Sequence, residues 1–476
     1  MAHEHQADDA AGHGENHPAN QAEVSALGTP GSAQPVAETE VVVGRGPTST
    51  AEYQPRHVPL GQALASLGYR DFRIYWLGQL VSLIGTWMQI VGQSWLVLEL
   101  SNSPIALGAV SALQFLPTLL LSVFGGVVAD RAPRRQLLLA TQSTSLLLAL
   151  VLGVLTQLQL VHIVHVMILA FLLGVVNAFD SPTRQAFVVE MVGGRALHNA
   201  IALNSAAFNS ARLIGPALAG LTIGGVGLAG AFYLNAASFL AAIASLLAVQ
   251  AGRRPVTRHV QPGTVWEDLK EGLAYVVHTR RVWLIVLLVG IVGTFGMNNN
   301  VLIPVLARDV LQVGAAGFGF LTSAAGVGSL AAALFIAYLG RRAQPRLLLA
   351  GAILLGLSEI AIAAVPQLLP GLLSLQFTAD LGLLAVLGAA MILFTTVANT
   401  TLQTATPDAL RGRVMSVYTT VFFGTTPIGS LFAGGLAQGW GVAVPFFLGG
   451  LISVVSALAA VGLARRGRER TTDEHR

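Results

Sequence analysis

The sequence predicts an all-α membrane protein with 12 transmembrane helices in two pseudo-symmetric six-helix bundles, and three observations carry that prediction. Of the 476 residues, 54% are hydrophobic and 11% charged, about half the charge usage of an ordinary soluble domain, so a water-exposed surface cannot be built from this chain. Apolar stretches of roughly 20 residues, the length that crosses a ~30 Å hydrocarbon core as a helix, recur from about residue 74 to residue 464. Across those stretches, glycines and polar positions repeat at an offset of about 211 to 214 residues.

Taken in order, residues 1–66 are rich in Ala, Gly, His, Pro, Glu and Gln and have no hydrophobic period, so they are expected to form a disordered cytoplasmic tail. They lack the apolar region and cleavage site of a signal peptide. His3, His5, His13 and His17 in this tail fit a compositionally biased segment better than a metal site. The N-terminal bundle is expected over 67–250, with apolar segments at roughly 74–98, 104–128, 136–158, 162–181, 199–223 and 228–250. A cytoplasmic linker follows over 251–281. In it Trp266, Leu269, Leu273 and Val276 recur at helical spacing behind a Thr264-x-x-Glu267 capping box, which predicts an amphipathic helix lying at the membrane surface. The C-terminal bundle is expected over 282–464, with segments at roughly 282–307, 315–339, 346–365, 372–397, 412–437 and 442–464, and a basic cytoplasmic tail at 465–476.

Orientation follows from the arginines. Arg70 and Arg73 precede the first segment, and Arg131, Arg134, Arg135, Arg184, Arg195, Arg253, Arg254, Arg280, Arg281, Arg341, Arg342, Arg346, Arg411, Arg413 and Arg465 fall on every second connection, with Arg308 the exception. The positive-inside rule then places both termini in the cytoplasm of a bacterial-type plasma membrane, which requires an even number of spans. The repeat pairs Gly85 with Gly296, Gly108 with Gly319, Gly174 with Gly388, Gly215 with Gly429 and Gly220 with Gly434. Such pairing implies two halves related by an axis along the membrane normal, an arrangement used by many carriers.

Several function classes are excluded or disfavoured. There is no cysteine, so thiol chemistry is absent, and the single lysine, Lys270, has no phosphate-cradling loop around it. No nucleophile triad, metal-ligand spacing or catalytic carboxylate pair is found. The chain is therefore read as a non-enzyme without cofactor or metal and without a nucleic-acid role. Its expected partners are the lipid bilayer, a small-molecule substrate and protons, and it is expected to be a monomer.

On the first segment, Gln79, Ser82, Thr86, Gln89 and Gln93 are spaced three and four apart, which places them in one stripe about 80° wide. They either line a water-filled path or bond across to neighbouring helices. Gly78, Gly85 and Gly92 form an adjacent small-residue stripe suited to a close helix crossing. In the second half the counterpart is Thr294 with Asn298, Asn299 and Asn300, Asn300 aligning with Gln89. Arg212, on a face shared with Ser205 and Asn209, falls near the membrane midplane, where it could hold an anionic substrate or lock helices together. Glu359 and Asp380 are the acids inside the second half, and buried carboxyl groups that bind and release protons fit a coupling role. Glu359 facing the headgroups, or Asp380 lying close to the outer surface, are the alternatives. His162 and His165 read as interfacial residues, and Ser103-Pro104 as a helix cap and first turn.

Gly126-Val-Val-Ala-Asp130-Arg131-Ala-Pro-Arg134-Arg135 resembles the G-x-x-x-D-R-x-G-R-R signature of the major facilitator superfamily, with Pro133 where glycine is usual. Gly126 is expected to allow a close crossing, and the charges to form a cytoplasmic gate latch, which Arg341 and Arg342 would make one-sided. Ala211-Arg212-Leu213-Ile214-Gly215-Pro216-Ala-Leu-Ala-Gly220 is similar to the antiporter motif of that superfamily, in which it accompanies export. Gly85-Thr-Trp-Met-Gln89 with Ser101-Asn-Ser-Pro104, Asn177-Ala-Phe-Asp180-Ser-Pro182-Thr-Arg184-Gln185, and Asn399-Thr-Thr-Leu-Gln403 with Leu410-Arg-Gly-Arg413-Val-Met look like the subfamily of enterobactin exporters and related secretion and drug-efflux carriers. The resemblance implies alternating access and proton-coupled export of a small amphipathic or anionic molecule, siderophore- or drug-like. An importer of the same fold, or a transport-inactive scaffold or sensor, are the competing expectations.

Overall fold

The computed structural model describes residues 65–251, 265–339 and 345–473, and no strand occurs among them. The four tail histidines, Thr264, Arg253, Arg254, Arg341 and Arg342 lie outside the described residues. A short 3₁₀ turn, Ala65–Gly68, leads into α1 (Arg70–Ser101), α2 (Pro104–Arg131) and α3 (Arg134–Gln157). Next come α4 (Ile163–Gly193) and α5 (194–226), then α6 (Leu228–Ala248). The linker helix α7 (Val265–His278) precedes the second half. There α8 (Arg280–Gly296) and the short α9 (Asn299–Val305) form one broken span, followed by α10 (Ala315–Leu339), α11 (Pro345–Leu368), α12 (Leu373–Ala405), α13 (Asp408–Trp440) and α14 (Ala443–Asp473). Helix α14 runs on to Asp473, so most of the segment read as a basic tail prolongs the last helix.

Helix ends follow local chemistry. The Ser103 hydroxyl accepts the Ala106 N–H at 3.3 Å, and Pro104 occupies the first turn of α2, where its missing N–H costs nothing. Helices α5 and α13 both stop at a glycine with positive φ, Gly227 at 83° and Gly441 at 82°, a conformation open to glycine at low cost. These two stops are themselves one repeat apart. At the opposite end of α5 no loop separates it from α4, because Gly193, with φ 62° and ψ −177°, turns the chain within a single residue.

Among the described residues, 11 helices are long and apolar enough to cross a membrane. The remaining one, 194–226, carries Asn204, Ser205, Asn209, Ser210 and Arg212. It packs between α1 and α10, where such side chains can face protein instead of lipid. In the first bundle α1 packs on α5 and α6, α2 on α4, and α3 on α6; in the second, α8 packs on α13 and α14, α10 on α12, and α11 on α14. Two crossings, α2 with α13 and α5 with α10, join the bundles.

The repeated glycines sit at these crossings, each pair in equivalent places. A Cβ on Gly85 would lie 2.1 Å from Ser238 Oγ of α6, and one on Gly296 2.4 Å from Ser453 Oγ of α14. Gly174 faces the Gln114 carbonyl of α2, and Gly388 the Ala325 carbonyl of α10. Between bundles, Gly108 meets the Ser430 carbonyl and Gly319 the Pro216 carbonyl, while Gly220 meets Ala316 and Gly434 meets Pro104. Lipid offers no hydrophobic gain for helix association, so packing at van der Waals range has to supply it, and only small residues let backbones come this close.

The D-R-x-x-R-R loop is local to the first bundle. Arg134, buried, pairs with Glu190 at 3.4 Å and Asp130 at 3.7 Å, and Arg135 donates to the Leu246 and Leu247 carbonyls at 2.6 and 2.9 Å, closing the end of α6. Gly126 does not make the expected crossing, for a Cβ there meets open space. Its neighbour Gly125 does, lying against the Ala178 carbonyl of α4. Helix α7 docks on α13 through Gly272 against the Arg413 carbonyl and a Glu271–Arg413 ion pair of 2.7 Å.

Gly388→Ala places a methyl group 1.9 Å from the Ala325 carbonyl oxygen and is expected to cost about 1–3 kcal/mol. Gly126→Ala, with free space and better helix propensity, should stay within about 0.5 kcal/mol of wild type or improve on it. Thermal unfolding of the detergent-solubilised protein, followed by circular dichroism, compares the two.

Candidate functional site

The polar stripe of α1 faces the interior of its own bundle. All five of its members, Gln79, Ser82, Thr86, Gln89 and Gln93, line a cavity of about 400 Å³ between α1, α4 and α5, a volume suited to a small organic molecule. The stripe's three glutamines also bond across helices. Gln79 accepts from Arg184 of α4, Gln89 accepts from Asn235 of α6, and Gln93 donates to Gln114 of α2 at 3.4 Å. The Thr86 hydroxyl turns back to the Ser82 carbonyl at 2.9 Å. Lining residues extend from Tyr75 and Val188, near the arginine-rich ends of α1 and α4, to Gln93 and Gln114. Beyond Gln93, the side chains from Ser94 to Leu98 are buried, and the path is filled.

That filled end is where several bonds tie the bundles together. Ser103 Oγ donates to Gln438 Oε1 at 2.8 Å, Arg308 Nη1 donates to the Leu98 carbonyl at 2.8 Å, and Trp95 stacks on Phe318 at 5.9 Å. The one arginine out of place in the charge pattern thus caps the last turn of α1 from the other bundle.

The cavity's charged centre was not singled out as a site by sequence reasoning. Asp180 and Arg184 sit one turn apart on α4 and are the charged side chains among those lining the cavity. Asp180, 5% exposed, accepts at Oδ1 from Thr141 Oγ1 at 2.7 Å and Gln142 Nε2 at 2.8 Å. Its Oδ2 accepts from Arg184 Nε at 3.1 Å and from Arg184 Nη2. Arg184 was assigned to a connection, with the fourth segment ending near 181. The helix continues unbroken through Pro182 to Gly193, with the ion pair packed against Thr141 and Gln142 of α3 and Gln79 of α1. The usable signal was the i, i+4 spacing of opposite charges flanking a proline.

The second-half candidates fall elsewhere. Asn300 lines two small side cavities, one shared with Arg212, Trp87 and Asn299, the other with Gln93 and Gln114. Arg212 reaches across the bundles: its guanidinium carbon lies 5.7 Å from the Trp87 ring centroid and Nη2 is 3.5 Å from Met391 Sδ of α12. Asn209 is half-buried, with Nδ2 on the Ser205 carbonyl at 2.8 Å, and lines none of these cavities. The glycines of the antiporter-like motif make crossings, Gly215 against Trp87 of α1 and Gly220 against α10. Glu359 and Asp380 are both fully buried, and neither carboxylate has a hydrogen-bond partner among the described residues. Gly296, Gly449 and Gly450 enclose Glu359 between α8 and α14; neither acid lines the cavity. His165 Nδ1 accepts the His162 backbone N–H at 3.1 Å, a helix-end arrangement, and no group of metal-ligating side chains occurs among the described residues.

The family model described as transmembrane secretion effector matches residues 61–474. The multidrug efflux pump Tap of Mycolicibacterium fortuitum is 29% identical over 392 residues, covering 80% of this chain and 92% of the relative. The staphyloferrin A transporter of Staphylococcus aureus is 28% identical over 257 residues, 53% of this chain and 63% of that one. The enterobactin exporter EntS of Shigella boydii is 27% identical over 312 residues, 66% and 72% respectively. Among solved structures, a bacterial homologue of the iron transporter ferroportin superposes with a TM-score of 0.63 at 16% identity, covering 83% of this chain and 98% of its own. The nucleoside transporter NupG gives 0.64 at 13% identity, covering 82% and 98%, and at such identities the likeness concerns the fold.

Asp180→Asn leaves Arg184 without its counter-charge. For a fully buried pair the loss is about 3–5 kcal/mol; with Arg184 about a quarter exposed it is expected nearer 1–3 kcal/mol. Adding Arg184→Gln should recover part of it, and a double-mutant cycle of melting temperatures measures the coupling.

Proposed function

Because the chain belongs to the transmembrane secretion effector family of major facilitator transporters, we propose that it exports a small amphipathic or anionic molecule, siderophore- or drug-like, by alternating access coupled to proton influx. The observation that carries this reading is the cavity itself: a pocket into which the polar stripe of α1 faces, reaching toward the Arg70 and Arg73 end of that helix and giving way beyond Gln93 to buried side chains and two small side cavities. With the arginine-rich end in the cytoplasm, this is the inward-open stage of a cycle, ready to load from inside. Relatives described as a multidrug efflux pump and an enterobactin exporter support the outward direction and the substrate class.

In the proposed cycle, Gln79, Ser82, Thr86, Gln89 and Gln93 hold the substrate, and Asn300, Asn209 and Arg212 lie along its later route. The bonds of Ser103, Arg308 and Trp95 seal the outer end while the substrate loads. The crossings of α2 with α13 and α5 with α10 serve as the surfaces on which the bundles rock, Pro216 and Gly220 lying in the second of them and Gly215 bracing α5 on α1 behind it. Gly126, Asp130, Arg131, Arg134 and Arg135 form the cytoplasmic gate loop, engaging the second bundle when the inner end closes. Glu359 and Asp380 carry the proton. Each is a buried carboxyl group without a fixed partner, so a change in helix packing can alter its access to water.

Everted vesicles containing the full chain, acidic inside, are expected to accumulate a fluorescent anionic dye or a hydroxamate or catecholate chelator, and a protonophore should abolish the accumulation. Glu359→Gln or Asp380→Asn should lower the gradient-driven rate by roughly tenfold or more, the range in which removing a proton-transfer group acts. Unchanged rates in both variants would remove the coupling assignment. Net movement in the opposite direction would make the protein an importer.

A further inference from the structure

Resting on the export reading, the geometry points to a head-group subsite at the arginine-rich end of the cavity, in which Arg184, Tyr75 and Gln79 bind an acidic, oxygen-bearing group of the substrate and reject an amine. The pocket contains one positive and one negative side chain, and their situations differ. Asp180 is buried and occupied, with Thr141 and Gln142 on one oxygen and two Arg184 nitrogens on the other. It has no room for a cationic ligand. Arg184 is 28% exposed, and its Nη1 and Nη2 each spend one hydrogen on protein, leaving one on each for a ligand.

The neutral groups beside Arg184 extend the imbalance. Tyr75 and Gln79 line the cavity, and the buried Tyr75 hydroxyl and Gln79 Nε2 have no hydrogen-bond partner among the described residues. Both can donate, as can the remaining arginine hydrogens, and the matching free acceptor is Gln142 Oε1. A buried donor without a partner is costly, so a ligand that supplies oxygen acceptors recovers the most free energy here. A carboxylate fits this set: it takes charge-assisted bonds from Arg184 while its second oxygen meets Tyr75 or Gln79. A hydroxyl next to it can donate to Gln142. An ammonium group finds the reverse, a saturated carboxylate behind an exposed guanidinium. The edge contact of Tyr75 with Phe187, at 5.4 Å, fixes the ring and so the position of its hydroxyl. Asp180, held from α3, acts as the positioning residue that aims Arg184.

Photolabelling tests the subsite without depending on transport. The full-length protein in lipid nanodiscs is irradiated with para-azidobenzoate, para-azidobenzamide or para-azidobenzylamine, and the modified peptides are mapped by mass spectrometry. Benzoate should label α1 and α4 peptides around Tyr75 and Arg184, competed by unlabelled benzoate, at least roughly tenfold more than the amine. Tyr75→Phe should cut that labelling about threefold or more with an unchanged melting curve, since the hydroxyl bonds to none of the described residues. Arg184→Lys, which keeps the charge for Asp180 but loses the planar fork, should retain partial labelling, whereas Arg184→Gln should lose it. Amine or amide labelling equal to that of benzoate overturns the proposal, as does wild-type benzoate labelling in both Tyr75→Phe and Arg184→Lys. Pocket labelling of the predicted pattern with no export from vesicles would sustain the subsite and remove the exporter reading; export with no labelling in the pocket would do the opposite.

Discussion

Helices in hydrocarbon gain nothing by hiding apolar side chains from one another, and the architecture of this protein follows from that constraint. Its contacts are made where glycine removes the side chain and lets a neighbouring carbonyl or Cα approach. Because the same glycines recur one repeat apart, both halves solve the problem with the same crossings: α1 on α6 as α8 on α14, α2 on α4 as α10 on α12. The crossings between halves obey the same rule, Gly108 and Gly434 on one side and Gly319 and Gly220 on the other. Contacts of this kind carry no charge and little directionality, which suits surfaces that must slide as well as hold.

Polar groups inside such a frame have to be satisfied by protein, and the first bundle gathers them. Three helices converge on Asp180 and Arg184: α4 supplies the pair, α3 supplies Thr141 and Gln142, and α1 supplies Gln79, while α6 joins further along α1 through Asn235 on Gln89. The result is a preorganised polar wall inside a single bundle. The second bundle keeps its two buried acids apart from that wall and from each other, on α11 and α12. A division of labour between recognition in one half and coupling in the other is consistent with this placement.

Much of this was legible in the sequence, for physical reasons that also explain the failures. Long apolar runs separated by arginines reveal spans, and the 3.6-residue period revealed the stripe of α1 because glutamines are conspicuous among leucines. The glycine register was readable because helix crossings demand glycine more strictly than they demand any other residue. The fourth helix runs further than the segment read from sequence because hydropathy treats a charge as the end of a span, whereas opposite charges at i, i+4 let the helix continue. Gly126 and Gly125 cannot be told apart by motif: which of two adjacent glycines faces a neighbour depends on helix rotation. Gln114 and Asn235 each sit alone in an apolar run, Tyr75 follows Arg73, and Gln142 lies in a Thr-Gln-Ser-Thr-Ser run, so their convergence exists only in three dimensions. The segment expected at 199–223 is helical within α5, which packs between α1 and α10.

The interruption of the seventh span at Met297–Asn298 has a mechanical consequence. Asn298 Nδ2 already donates to the Thr294 carbonyl at 2.8 Å, so a backbone acceptor exposed by the break is covered by a side chain. That side-chain bond spans the joint in place of a continuous backbone ladder, and Gly429 of α13 leans on Thr294 and Asn298 from outside. The lower piece ends at Gly296 beside Glu359, and the upper piece begins with Asn299 and Asn300 beside Arg212. A compliant elbow thus separates an acid from a base, and angular strain at one piece of the span can relax without dragging the other through the membrane.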